Sequence, residues 1–376
     1  MRRVRSLPCL VVLLAAGCLS EDVSLSEDSG DEGSGVDVDE TSTGTADGSS
    51  SLATTEVDPT TAVTTETPES RCEDTPIRVA TFNVESVSLE GSDPFIGLAA
   101  SIARVGADVI CMQEVLFDES PSLRNLAEAA GYTTVIQADR SPAIGGDLTN
   151  ACMSRIPMTL IASYTGSSLS SDPNANDVGR DILAVRAEPE PGCSVALFTL
   201  HFKSGGDYED LFRRQVEAER LARGVRTYRE QRPGDGVIVL GDFNEQLDDD
   251  DLGSQLGELP STLPQSYQLG DDIDLPLRYH PFDVLTDQGF QIAEAYQEDT
   301  LNPDTFVGGS FTSQLDYIVY GQALLEGAEI YNACQDNGVD DDPPGGWLPK
   351  EGQALSCFST QIASDHLAVF ADFVLP

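Results

Sequence analysis

The chain has 376 residues and a formal net charge of −43, with 64 Asp and Glu against 21 Lys and Arg. That acidity excludes a general electrostatic attraction for polyanions, because affinity for nucleic acid comes from counterions released at Lys and Arg. The length allows one large domain or two small ones, and no internal repeat is visible.

Arg2, Arg3 and Arg5 precede an apolar run, Leu10 to Ala16, that ends in LAAGC at Cys18. This is the pattern of a bacterial export signal, assigned to residues 1–17. Ala15, Ala16 and Gly17 resemble a lipoprotein processing box, in which Cys18 becomes a lipidated N-terminus; ordinary cleavage with full secretion is the alternative. The run is far shorter than the ~20 residues of a membrane span, and no later run qualifies. The expected location is therefore the cell surface or outer membrane, as a lipoprotein, or the secreted pool. Residues 18–72 are rich in Ser, Thr, Gly, Asp and Glu, with no Lys or Arg before Arg71. Little there can be buried, so the segment reads as a self-repelling flexible tether. Residues 73–376 are the expected folded domain.

"IRVATFNV" (77–84) reads as a strand ending at Asn83, and "FIGLAASIARVGA" has helical spacing. "DVICMQEV" (108–115) is a strand with Glu114 at its end, and "SLRNLAEAAGY" a helix stopped by Gly131. "ACMSRIPMTLIASY" and "RDILAVRAEP" suggest neighbouring strands, and "CSVALFTLHFKS" (193–204) a strand ending in His201. A long helix follows, with Leu211, Ala218, Leu221, Val225 and Tyr228 on one face. Its arginines (213, 214, 220, 223, 226, 229 and 232) suggest a nucleic-acid track, but Glu217, Glu219 and Glu230 are interleaved, which favours a solvated, self-paired helix. "VIVLGDFNE" (237–245) is a buried strand ending at Asp242, followed by an acidic insert near 246–280 and a helix over Val284–Tyr296. "SQLDYIVY" and "SDHLAVFADFVL" close the chain as strands. Two packed mixed sheets flanked by helices, an α/β sandwich, account for this order.

Cys9 and Cys18 belong to the signal, leaving Cys72, Cys111, Cys152, Cys193, Cys334 and Cys357. An even number in an exported chain predicts disulfides. Cys334 and Cys357 flank one loop and are the favoured pair, whereas Cys111 in its strand suits a free, packed thiol.

Polar residues recur where apolar strands end: Asn83, Glu114, His201, Asp242 with Asn244, Asp316, and Asp365 with His366. Asp242 and Asn244 are spaced to share one side of a strand; alone, such a pair is usually turn chemistry. His201 alone would read as a core histidine and Lys203 as a surface lysine. His280, before a proline, and Arg155 read as structural. Asp172, Asn174 and Asn176 alternate in "DPNANDVG" but lack the Gly and distal Glu of a calcium loop. The runs 248–251 and 340–342 could take structural Ca²⁺ or simply be solvated.

"TFNV", "QEV", "LHFKS", "GDFN", "LDYI" and "SDH" follow the order and rough spacing of the endonuclease/exonuclease/phosphatase superfamily, which the chain resembles over about 75–376. These are the proteins similar to DNase I, exonuclease III and neutral sphingomyelinases. The resemblance implies a four-layered α/β sandwich and metal-dependent hydrolysis of phosphate esters. It makes Glu114 the principal ligand of Mg²⁺ or Mn²⁺, with Asn83 and Asp365 on the metal side. Asp242 would orient or deprotonate the attacking water, and His366 would act on the scissile phosphate with Asp316 fixing its ring. His201 would be a second active-site histidine, and Asn244 and Arg180 would contact phosphate oxygens; Lys203, beside His201, is either a further phosphate contact or a surface lysine. A hard cation neutralises a phosphodiester that otherwise repels its nucleophile, and a carboxylate-rich set without Cys suits Mg²⁺ or Mn²⁺ better than Zn²⁺. "LHFKSGG" before an Arg-containing helix is most like secreted bacterial nucleases, so nucleic acid is the first expected substrate and a phospholipid the second. A phosphoinositide ranks lower, because that branch has a Trp-Asp-Arg type motif where this chain has "SQLDYIVY". A monomer is expected. A surface binding protein without turnover would have lost part of this set, and none is missing.

Overall fold

The aliphatic run Val237–Leu240 is covered on both faces. Ile238 and Leu240 lie in a core shared with Ile77, Val79, Val109, Leu197 and Ile318, whereas Val237 and Val239 lie in a second core with Leu221, Val225 and Tyr228. A strand buried on both sides reads as continuous hydrophobicity rather than alternation. Each fully buried aliphatic side chain is stabilised by ~1.5–3 kcal/mol over an exposed one.

The structure, a computed structural model, describes residues 72, 74–139, 147–247, 255–278, 280–298, 300–309, 311–336, 338 and 347–375, all within the unit Thr65–Pro376. The expected export signal, Cys18, nearly all of the tether and the acidic runs 248–251 and 340–342 lie outside the described residues. In chain order the elements are β1 (Thr75–Asn83), α1 (Asp93–Val105), β2 (Val109–Leu116), α2 (Ser120–Ala129), β3 (Thr134–Gln137), β4 (Leu148–Ser154), β5 (Met158–Tyr164), α3 (Gly166–Leu169), β6 (Ile182–Glu190) and β7 (Cys193–His201). There follow α4 (Tyr208–Gln231), β8 (Gly236–Asp242), β9 (Gln255–Leu256), β10 (Leu277–Arg278), α5 (Asp283–Thr286), β11 (Gln291–Ile292), β12 (Asp316–Gly321), β13 (Leu324–Tyr331), α6 (Cys357–Ala363) and β14 (Ala368–Leu375).

One six-stranded sheet runs β13-β14-β1-β2-β4-β3 and the other β11-β12-β8-β7-β6-β5. Their parallel pairs, β1–β2 and β7–β8, are joined by α1 and α4 as crossovers. The Ser92 hydroxyl accepts from the Phe95 N–H to start α1, and Gly106, at φ +67°, ends it. Leu98 and Ile102 of α1, with Leu123 and Leu126 of α2, cover the outer face of the first sheet. Leu221, Val225 and Tyr228 of α4 cover the outer face of the second. Helix, sheet, sheet, helix is the four-layered sandwich expected from the sequence.

Several local expectations change. The helix expected over 284–296 is only the short α5; Gly289, at φ +84°, turns the chain into β11, which pairs with β12. "ACMSRIPMTLIASY" splits between the two sheets, β4 pairing with β2 and β3, and β5 with β6. Cys334–Cys357 is bonded as expected, but Cys111 is not a free thiol: the β2–β4 register sets it opposite Cys152, and the two form a disulfide. Cys72 pairs with Cys193. The solvated reading of α4 also fails for its first half, where Arg213, Arg214, Glu217 and Arg220 are buried. Arg220 binds Asp177 and Asp272, and Arg214 binds Glu245, so loops far away in sequence cover these charges.

Candidate active site

Strand alternation builds the site. Along β8, Asp242 continues the face of Ile238 and Leu240 toward the opposing sheet; along β1, Asn83 continues the face of Ile77 and Val79. His201 follows Val195 and Leu197 in β7 in the same way, and Asp316 precedes Ile318 in β12. Register then aligns three of them: His201 sits opposite Asp242 across β7–β8, and Asp316 opposite Asp242 across β12–β8. The inter-sheet core thus changes from apolar to polar at one end. The first polar layer is Thr81, Gln113 and Thr199. The Thr81 hydroxyl donates to Gln113 Oε1 (3.1 Å), and Gln113 Nε2 donates to Thr199 Oγ1 (2.9 Å), tying the two sheets together beneath the site.

Asn83 Nδ2 donates to Glu114 Oε1 (3.1 Å) and to Asp242 Oδ2 (3.0 Å), bridging the sheets. His201 Nε2 lies 3.6 Å from each of the same two carboxylate oxygens. Glu114 reaches them from a bulge of β2, at φ +60°, where the β2–β4 register shifts between Met112 and Val115. His366 Nδ1 donates to Asp316 Oδ2 at 2.7 Å, and its Nε2 is 4.0 Å from Asp242. Asn244 does not continue the strand alternation. It sits beyond the strand at φ +51°, with its N–H on Asp242 Oδ1 (2.8 Å) and Nδ2 on the Phe202 carbonyl (3.0 Å). Turn chemistry and proximity to the site therefore coexist there. At Gly241 a Cβ would come within 2.1 Å of the Leu200 carbonyl, so only glycine permits this approach of β7 and β8.

The charges are unbalanced. Burial and the Asp316 charge push the Asp242 carboxyl up, to about 7, against His366 and the Asn244 and Asn83 donors. Burial alone would lower His366, but Asp316, then Asp242 and Asp365, outweigh it and raise its pKa to about 10. His201 is held well below its ordinary range by burial, then by Arg180, His366 and Lys203, so its ring is neutral. Glu114, His201 and Asp242 offer ligand atoms within 4.8 Å of one another, and Asp242, Asp316 and His366 form a second such group. In the second, His366 Nδ1 is already committed to Asp316. The first group, of oxygens and a neutral imidazole with surplus negative charge, fits an oxygen-seeking divalent cation.

The remaining expected residues lie around this centre. Asp365 belongs to neither group; it lines a cleft of about 500 Å³ with Glu85, Ser86 and Ser364. Arg180 Nη1 donates to the Phe202 carbonyl (3.2 Å), and Lys203 pairs with Asp210 (2.9 Å). His280 binds the Gln246 carbonyl, and Arg155 pairs with Glu351 over the Tyr132 ring, away from the site residues. Asp172 Oδ1 accepts from the Asn174 N–H, as in a polar turn.

Sequence reasoning missed the supporting residues. The Ser364 hydroxyl donates to the Asn83 carbonyl and accepts from the His366 N–H. The Thr305 hydroxyl accepts from the N–H groups of Leu315 and Asp316, fixing the start of β12. Thr81 and Thr199 did leave a signal: each is a polar residue inside an apolar strand, two positions before a site residue.

An endonuclease/exonuclease/phosphatase from Bacteroides vulgatus is 16% identical, with 80% of this chain and 100% of that chain covered and a TM-score of 0.51. Truncated TDP2 of Caenorhabditis elegans is 14% identical, with 81% and 99% covered and a TM-score of 0.48. ANGEL2, a 2',3'-cyclic phosphatase solved with adenosine-2',3'-vanadate, is 16% identical, with 81% and 97% covered and a TM-score of 0.49. At such identities structural likeness shows the fold alone. No protein of curated function matches the sequence. The sequence profile of the Endonuclease/Exonuclease/phosphatase family matches residues 80–366, from β1 to His366, and the chain belongs to that family.

Proposed function

We propose that the chain is an exported phosphodiesterase that works with Mg²⁺ or Mn²⁺. The carrying observation is the row His201–Asp242–Asp316, with His366 bonded to Asp316, facing Asn83 and Glu114 across the sheets. Glu114, His201 and Asp242 would hold the cation, with Asn83 fixing both carboxylates and Asp365 at the edge. A bound cation supplies charge neutralisation on the phosphate and a more acidic water. Asp242, fixed by the Asn83 and Asn244 donors, would orient the attacking water against the phosphate. His366, kept protonated by Asp316, faces the phosphate as charge and proton donor. Arg180, Asn244 and Lys203 contact non-bridging oxygens.

Nucleic acid is the first substrate in this reading. A specific observation favours a phospholipid as the second. Among the described residues lining the cleft beside His366 there is no Lys or Arg, and Glu85 and Asp365 face it. Three of the arginines that suggested a nucleic-acid track are buried in ion pairs. The three disulfides suit an oxidising compartment. No helix among the described residues is long and apolar enough to cross a membrane, and attachment through a lipid on Cys18 belongs to the proposal. The test is hydrolysis of plasmid DNA and of sphingomyelin vesicles by the full-length protein with Mg²⁺, Mn²⁺ or EDTA. Metal-dependent nicking supports the nuclease reading, and phosphocholine release with intact plasmid supports the lipid one. Turnover that persists in EDTA would sink the metal-dependent mechanism.

A further inference from the structure

Glu217 projects from α4, where the buried Arg214 and Arg220 anchor loops, and the residue is 1% exposed. Its two oxygens serve two different segments. Oε1 accepts from the Gly179 N–H at 2.8 Å, next to Arg180 at the entry to β6. Oε2 accepts from the Lys203 N–H at 2.7 Å, two residues after His201 at the exit of β7. These segments meet at Phe202. Its carbonyl accepts from both Arg180 Nη1 (3.2 Å) and Asn244 Nδ2 (3.0 Å), and its N–H donates to the Asp242 carbonyl (3.0 Å). At Gly179 a Cβ would fall 2.9 Å from Glu217 Oε1, so the backbone there is drawn close to the carboxylate. Only a carboxylate can accept on both oxygens; an amide would set its own N–H groups against one of the two donors. A buried carboxylate is costly unless charge and hydrogen bonds compensate it. Here the compensation is the pair of N–H groups together with the nearby Arg180 and Arg213 guanidiniums.

We infer that Glu217 is a positioning residue for the phosphate: by gripping Gly179 and Lys203 it fixes Arg180 against the Phe202 carbonyl that Asn244 also binds. The inference rests on the assignment of Arg180 as a phosphate contact, and that arginine is its route, because Glu217 holds Lys203 only by the backbone N–H while Asp210 holds the Lys203 ammonium. It therefore predicts a dependence that general stabilisation of the fold does not. Removing Glu217 costs anion affinity only while Arg180 is present.

The test is a double-mutant cycle on the full-length protein, with inorganic phosphate in Mg²⁺ as the probe and calorimetry as the readout. Arg180→Ala and Glu217→Gln should each weaken phosphate binding about tenfold, as expected for one lost charge-assisted contact. The double variant should stay near tenfold rather than approach the roughly hundredfold of independent sites. Glu217→Asp keeps the charge but is too short for both N–H groups; it should also weaken binding, and it replaces the glutamine variant in the cycle if that one does not fold. Unchanged binding in the Glu217 variant, losses that multiply, or a wild-type protein that binds no phosphate would each overturn the inference. Hydrolysis of bis(p-nitrophenyl) phosphate by the wild type is scored separately. A coupled phosphate site without turnover leaves the positioning role intact and removes the proposed function.

Discussion

Lys350 faces two carboxylates in the interior, Glu329 of β13 at 2.7 Å and Glu298 at 3.1 Å, and all three side chains are at most 4% exposed. One ammonium cannot neutralise both acids. Burial pushes the Glu329 carboxyl up to about 7 from an ordinary 4.5, despite the opposing Lys350 and the Leu348 N–H. The folded state therefore keeps a proton that the unfolded chain releases. Stability from this group is full below about pH 4.5 and is lost as pH rises through about 7. The shift corresponds to about 3 kcal/mol at pH 8, using ~1.4 kcal/mol per pKa unit. Glu329→Gln mimics the protonated acid and leaves Lys350 its Glu298 partner. It should match the wild type near pH 4 and be more stable by up to about 3 kcal/mol at pH 8, a rise of several degrees in Tm. Thermal melts of both proteins from pH 4 to 8 provide the check. A variant that melts below the wild type at pH 8 would refute the reasoning, because the charged cluster would then be net stabilising.

Glu114→Gln should weaken Mg²⁺ binding and lower turnover by at least about 100-fold, read by calorimetry and by hydrolysis of bis(p-nitrophenyl) phosphate; intact metal binding would remove Glu114 from the cation site. Asp316→Asn leaves the His366 ring without its charged partner, so kcat should fall by about 10²–10⁴ with little change in KM. A changed KM at constant kcat would instead make Asp316 a binding residue. Arg220→Ala strands Asp177 in the interior and should cost about 3–5 kcal/mol in urea unfolding. A loss below about 1 kcal/mol would mean that water reaches the pair.

Site residues were legible where one strand carries both the apolar run and the polar end. Asn83, His201, Asp242 and Asp316 each end or begin such a run, and alternation alone sends them to the inter-sheet face. Which of them face one another was not legible, because register joins β7 to β8 across the 24 residues of α4 and β8 to β12 across a longer insert. Two residues escape alternation. Glu114 reaches the site only through a bulge, and Asn244 only through a left-handed turn beyond its strand, so strict period-two reasoning places neither. The Cys111 disulfide was hidden for the same reason, since its partner is fixed by the β2–β4 register.

The charges of α4 show a different limit. A helix with alternating Arg and Glu has the same local sequence whether its charges face water or pair with distant loops. Here Arg220 meets Asp177 and Asp272, Arg214 meets Glu245, and Glu217 meets the backbone at Gly179 and Lys203. Those partners lie before and after the helix in sequence and share no periodicity with it. The consequence reaches function. Arginines consumed in this way hold the loops that carry Arg180 and Lys203, and they add no free charge to a nucleic-acid track. In the proposed function, Arg214 and Arg220 would thus serve the phosphate by holding the segments that carry its contacts. The described residues lining the cleft beside His366 include no Lys or Arg, so that cleft adds no counterion-releasing charge of its own.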